Sequence, residues 1–113
     1  MTDRDPEKER RRYPRVKAPI LCRAARLFSS RRQVTNIGLG GVRVYSDEKM
    51  KIDQRLEIEL FLPDKTSLTC TVRVVWLMRM PDSAPAKYDV GFEFLRLPSD
   101  GTERLRQIIE MEL

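Results

Sequence analysis

The sequence predicts a mainly β fold: a small six-stranded antiparallel β-barrel with a C-terminal α-helix and a flexible basic N-terminal arm. Three observations point there. Apolar residues recur at every second position in successive stretches, Gly, Pro, Ser and Asp separate those stretches, and only the tail carries apolar residues spaced by three and four. A length of 113 residues suits one domain and leaves no room for a second core.

Residues 1–14 are nearly all charged or proline, too polar to offset the entropy of ordering, and a flexible arm is expected there. The barrel domain is expected over 15–113. Val16, Ala18, Ile20 and Cys22 share one alternating set, so a first strand is expected to reach about Phe28, with Pro19 marking an irregular or edge start. A turn at 29–32 leads to a short second strand over 33–37. Asn36-Ile37-Gly38-Leu39-Gly40-Gly41 then calls for positive φ or for the close approach of another backbone or ligand. Val42 and Val44, around Arg43, resume the two-residue period.

Leu56, Ile58, Leu60 and Leu62 alternate with Glu57, Glu59 and Phe61, and Pro63-Asp64-Lys65 supplies a hairpin turn. Beyond it, Leu68, Cys70, Val72, Val74 and Trp76 fall on one face, opposite Thr69, Thr71 and Arg73. The segment 81–85 breaks the chain. Tyr88, Val90, Phe92 and Phe94 define the last strand, with Asp89, Gly91 and Glu93 on its other side. Helix follows: Ser99 or Asp100 is the expected cap, Glu103 holds the capping-box position, and Leu105, Ile108 and Ile109 form the apolar stripe.

Composition narrows the function. There is no apolar run long enough for a membrane helix and no signal-like N-terminus, so a cytoplasmic protein without a membrane span is expected. Cys22 and Cys70 stand singly in apolar segments, which suits buried thiols rather than a disulfide framework or a metal site. Histidine is absent, and neither a nucleophile elbow nor a phosphate-cradling glycine loop is present, so no enzyme, no catalytic residue, no metal and no cofactor is expected. Lys and Arg number 22 against 17 Asp and Glu, a net +5 concentrated in the first third. That surplus suits an anionic partner, whether nucleic acid, an anionic membrane face or a phosphorylated small molecule, and equally suits a solvated tail.

Two local features carry chemistry. In Arg11-Arg12-Tyr13-Pro14-Arg15 the outer arginines stand four apart, with Arg10 in front, and each guanidinium offers a planar fork that fits phosphate oxygens or the O6/N7 edge of guanine. The glycine turn at 36–41 is the second. Together they resemble the PilZ domain family, bacterial modules that bind cyclic di-GMP. That family is marked by Arg-x-x-x-Arg in the arm and Asp/Asn-x-Ser-x-x-Gly between the second and third strands. Arg11 and Arg15 match the first motif, and Asn36 and Gly41 match the second. Gly38 stands where the family usually has serine. The resemblance extends over about residues 9–112, through Val72 to Trp76, the Val90-Gly91-Phe92-Glu93-Phe94 strand and the closing helix.

By that resemblance, Arg11 and Arg15 would grip guanine edges and phosphates, Asn36 would meet the guanine rim, Gly38 would offer its backbone N–H, and Gly41 would keep the turn open. Arg10 would add a contact of the kind that accompanies two intercalated ligands, with Arg12 in the same cluster. Trp76 falls where some relatives place an aromatic near the base, while its alternation with Val72 and Val74 makes it a core residue. Tyr13 stacks on a purine or packs on the barrel. The hydroxyl missing at Gly38 removes roughly 0.5–1.5 kcal/mol, against about 1–3 kcal/mol for each bidentate arginine, so weakened rather than abolished binding is expected.

The function implied is a cyclic di-GMP receptor that relays the messenger level to motility, biofilm or polysaccharide machinery. Its arm would order over the ligand, and a protein partner of unidentified kind would read the change. Two other readings stand beside it. One is a motif-degenerate adaptor that binds only protein, supported by Gly38. The other is a small barrel for RNA or DNA, weakened by an aromatic content of 7% and by the lack of a stacking row on one sheet face.

Overall fold

A computed structural model describes residues 14–24 and 31–113. Strands β1 (Leu21–Ala24), β2 (Arg32–Ile37), β3 (Gly41–Ser46), β4 (Arg55–Phe61), β5 (Ser67–Arg79) and β6 (Tyr88–Arg96) precede helix α1 (Gly101–Glu112). The strands close into a barrel in the order β1-β2-β3-β6-β5-β4, and each neighbouring pair is antiparallel. The expected barrel and helix are both present. Alternation sets the inner face: Val42, Val44, Ile58, Leu60, Leu68, Val72, Val74, Val90 and Phe92 all point into the core. Among the described residues no helix is long and apolar enough to cross a membrane.

Several expectations change in detail. The first strand does not begin at Val16. Ile20 N–H donates to the Ala18 carbonyl at 2.7 Å across Pro19, which brings no N–H of its own, and regular pairing starts only at Leu21. Val16, Ala18 and Ile20 are nevertheless buried as their alternation required. Gln33 Nε2 bridges the irregular stretch, donating to the Ala18 and Ile20 carbonyls at 3.0 and 3.2 Å. The arm before Pro14 and the expected end of the first strand at Phe28 lie outside the described residues.

The capping box does not form. Asp100 takes the N-cap place without a side-chain cap bond; its carboxylate lies 3.7 Å from Arg104, while Glu103 lies 3.6 Å from Arg106. The helix is instead secured by packing, with Leu105 and Ile109 in the barrel core and Arg104 hydrogen-bonded to Thr66 Oγ1 on the β4–β5 turn. That turn has the expected chemistry. Pro63 and Asp64 lead into Lys65 at φ 71°, and Asp64 Oδ1 accepts from the Thr66 N–H at 2.9 Å.

Cys22 and Cys70 are buried and unpaired in a disulfide, and burial pushes both thiols up from an ordinary 9.0 to about 12. The native protein is therefore expected to resist iodoacetamide at about pH 8 and to be alkylated at both cysteines in urea. Because the fold favours the protonated thiols, their contribution to stability is complete below pH 9 and is lost as pH rises toward 12. Mass spectrometry of the native alkylated protein checks this, and rapid native modification would contradict it.

Candidate functional site

The arm's root is pinned to the barrel. Val16 and Ile37 exchange backbone hydrogen bonds, N–H to carbonyl in both directions at 2.9 Å, which lays the preceding residues beside the end of β2. There Arg15 Nη1 donates to Asn36 Oδ1 at 2.7 Å. The two motifs of the sequence thus meet through a direct charge-assisted hydrogen bond.

A β-bulge aims Asn36. Val34 pairs with Val44 and Asn36 with Arg43, so Thr35 is an extra residue, and its Oγ1 donates to the Arg43 carbonyl at 3.0 Å. Strict alternation from the buried Val34 would turn Asn36 inward. With the bulge, Ile37 fills the core and Asn36 faces out.

The same device acts on β5. Val74 pairs with Phe92 and Trp76 with Gly91, leaving Val75 unpaired and reversing the faces beyond it. Leu77 takes the inner side, packed on the core, while Trp76 moves to the outer wall and stays half-buried. The expectation that Trp76 packs in the core with Val72 and Val74 is therefore corrected, because a period of two fails across one inserted residue. A Cβ on Gly91 would stand 2.2 Å from Trp76 Nε1, so the indole lies against bare backbone that only glycine provides.

Strand pairing now sets a row across the outer wall: Arg15, Asn36 on β2, Arg43 on β3, Gly91 on β6 and Trp76 on β5. Three strand steps separate Asn36 from Trp76, roughly 14 Å. Arg43 is fixed within the row, its Nε 2.9 Å and its Nη2 2.5 Å from the buried carboxylate of Asp89. Its guanidinium carbon is 5.0 Å from the centre of the Trp76 ring. Cationic forks, an amide and an aromatic on one face suit a flat heterocycle carrying phosphate.

The glycines act through close approach, with no glycine at positive φ. A Cβ at Gly41 would meet the Phe92 carbonyl oxygen at 2.2 Å, and one at Gly38 would meet the Pro14 carbonyl oxygen at 2.7 Å. Gly38 therefore lets the arm's backbone lie directly on the turn. A serine there would need the arm to move.

Of the expected site residues, Arg15, Asn36, Gly38 and Gly41 come together, and Trp76 lies at the far end of the same row. Arg10, Arg11, Arg12 and Tyr13 lie outside the described residues. Sequence spacing does not single out Arg43, Asp89 or Gly91 as site residues; an acid buried on the outward set of β6 is legible only once β3 is known to pair with it. A cavity of about 240 Å³ opens near the opposite end of the barrel, between Ala24, Arg32, Ser46 and Met50, and none of the motif residues lines it.

Comparison with known structures gives the same barrel. MotI (DgrA), the inhibitor of motility from Bacillus subtilis, superposes with a TM-score of 0.73 at 20% identity, covering 90% of this chain and 50% of that one. YcgR from Escherichia coli, solved in complex with c-di-GMP, gives 0.69 at 21% identity, covering 90% and 45%. MrkH of K. pneumonia, also solved as a c-di-GMP complex, gives 0.64 at 17% identity, covering 89% and 50%. The chain thus spans about half the length of each. No curated protein matches it by sequence. The family model described as PilZ domain matches residues 9–111, nearly the whole chain, and the chain belongs to the PilZ domain family.

Proposed function

We propose that this chain is a cyclic di-GMP receptor whose ligand lies along the row from Arg15 to Trp76. The observation that carries the reading is the meeting of Arg15 with Asn36, which joins the family's arm motif to its turn motif at one place. Structural relatives solved with c-di-GMP support the ligand's identity. Arg15, with Arg10, Arg11 and Arg12 from the arm, supplies forks for guanine edges and phosphates, and Asn36 meets the guanine rim. Gly38 does not supply the expected backbone N–H, because that group donates to the Gly41 carbonyl at 3.0 Å and closes the turn; what the glycine supplies is room for the Pro14 backbone of the arm. The nucleotide is a signal, bound and released unchanged, and the chain works without a cofactor.

The output follows from the arm. Residues pinned at Val16 continue upstream into the arginine cluster, so a bound dianion draws that cluster onto the barrel and changes the surface a protein partner meets. That partner belongs to motility, biofilm or polysaccharide machinery. Isothermal titration calorimetry of the whole chain with cyclic di-GMP, beside GTP, tests the reading. Saturable heat for the cyclic dinucleotide alone is expected, and its stoichiometry separates one ligand from an intercalated pair. No binding up to about 1 mM, an affinity of roughly −4 kcal/mol, would sink the reading in favour of a protein-only adaptor.

A further inference from the structure

Strand β5 outruns its neighbour β4. Their register ends with Arg55 opposite Arg73, and the loop before β4 adds two more bonds, from Val74 N–H to the Gln54 carbonyl at 2.9 Å and from Asp53 N–H to the Val74 carbonyl at 2.8 Å. From Val75 to Arg79, among the described residues, β5 pairs with β6 alone. The barrel is closed, yet this stretch leaves one strand edge open at its rim.

The bulge at Val75 decides which groups that edge presents. Met80 N–H donates to the Lys87 carbonyl at 2.8 Å, so Met78, two residues earlier, also bonds toward β6, and Leu77 and Arg79 turn their N–H and carbonyl groups to the open side. A bare row of this kind is a template for another strand, and proteins blunt it with Lys, Pro or inward charges. Val75-Trp76-Leu77-Met78 carries none of these. Of the six large apolar residues exposed among the described residues, three gather here: Val75 and Met78 on the strand, and Ile52 on the loop beside it.

We propose that a second copy of this chain pairs with the open edge, β5 against β5, antiparallel about a two-fold axis at Met78. That register sets Leu77 opposite Arg79 twice, which uses every edge-facing backbone group, and it places Trp76 opposite Met80 and Met78 opposite itself on the outer face. The apolar pairs include a sulfur–aromatic contact of the kind methionine favours. A slip to Leu77 opposite Leu77 would drive Arg79 against Val75, where the Asp53 loop already stands. With Met78 at the axis, Pro81 ends the paired stretch just short of that loop, and Arg79 of each copy comes near Asp53 of the other, a carboxylate 71% exposed beside Arg73. Residues 76–80 on each side make a small interface, below about 1,200 Å², so the dimer is weak and depends on concentration. This pairing is independent of the receptor reading above.

Sedimentation velocity of the whole chain without nucleotide, from about 10 µM to about 1 mM, is expected to show the average mass rising from one chain toward two. Met78→Lys sets two like charges face to face at an exposed position and is expected to stay a folded monomer throughout, with a native melt at the lowest concentration. Met78→Cys reads the register directly. A non-hydrogen-bonded antiparallel pair brings its Cα atoms to about 4.5 Å, within disulfide reach, so mild oxidation is expected to link two chains in most of the sample. Cys22 and Cys70 are buried and do not compete. Met111→Cys, 80% exposed on the helix, is the control and is expected to stay largely unlinked. A native chain that keeps the mass of one chain up to about 1 mM overturns the pairing and leaves the edge to a strand from another protein. So does a Met78→Lys variant that dimerises like the native chain, or a mass that climbs past two chains, since a two-fold contact closes on itself. Absence of cyclic di-GMP binding overturns the receptor and leaves the pairing standing.

Discussion

Replacing Arg15 by alanine is expected to weaken cyclic di-GMP binding by about ten- to a hundredfold while moving the melting temperature by no more than about 4 °C. A bidentate arginine contact to a guanine edge is worth roughly 1–3 kcal/mol, and each 1.4 kcal/mol is about tenfold in affinity. The stability side is smaller because Arg15 is half-buried and its bond to Asn36 exchanges with water when broken, a net of about 1 kcal/mol or less. The backbone ladder at Val16 and Ile37 does not depend on the side chain, so the arm's root stays where it is. Calorimetry and a thermal melt on one sample separate the two effects. Arg15→Lys is expected to recover only a small part of the loss, since an ammonium keeps the charge but not the fork. Undiminished binding by Arg15→Ala would remove the arm from the site.

The parts of this molecule that follow a simple period are legible in the amino-acid sequence itself. Val42 and Val44, Ile58 and Leu60, Val90 and Phe92 go inward because neighbours two apart share a face. The residues that make the site escape that rule. Asn36 and Trp76 reach the outer wall only because Thr35 and Val75 are inserted, and an inserted residue is defined by the strand opposite. Alternation alone therefore assigns Trp76 to the wrong face. For Asp89 alternation assigns the outer set correctly, yet its burial comes from Arg43, 46 residues away in the chain. Gly38 lacks the hydroxyl of the family motif, and it is also the seat of the Pro14 carbonyl. Local spacing identifies the motifs; the pairing of β2 with β3 and of β5 with β6 decides which way they face.

Gly41→Ala tests the other half of the turn motif, and its expected effect is on folding. The nearest atoms to a Cβ at that position belong to backbone: the Phe92 carbonyl oxygen at 2.2 Å, its carbon at 3.2 Å and Glu93 Cα at 3.4 Å. A flexible side chain could swing aside, but these atoms are part of the β3–β6 ladder and move only if that pairing opens. Overpacking of this kind costs about 1–3 kcal/mol, and the rigid neighbour puts Gly41→Ala near the upper end. For a domain of this size the melting temperature should fall by roughly 10 °C. Gly40→Ala, one residue away at an exposed position without positive φ, should stay within about 0.5 kcal/mol of the native chain. The contrast between adjacent glycines separates close approach from a general need for a supple turn, which would make both variants fall alike. A native melt for Gly41→Ala with lost nucleotide binding would instead move the residue's role from the ladder to the ligand. Since β3 carries Arg43 and β6 carries Asp89, opening that ladder should also disturb Trp76 emission, so stability and site geometry are expected to fail together in Gly41→Ala.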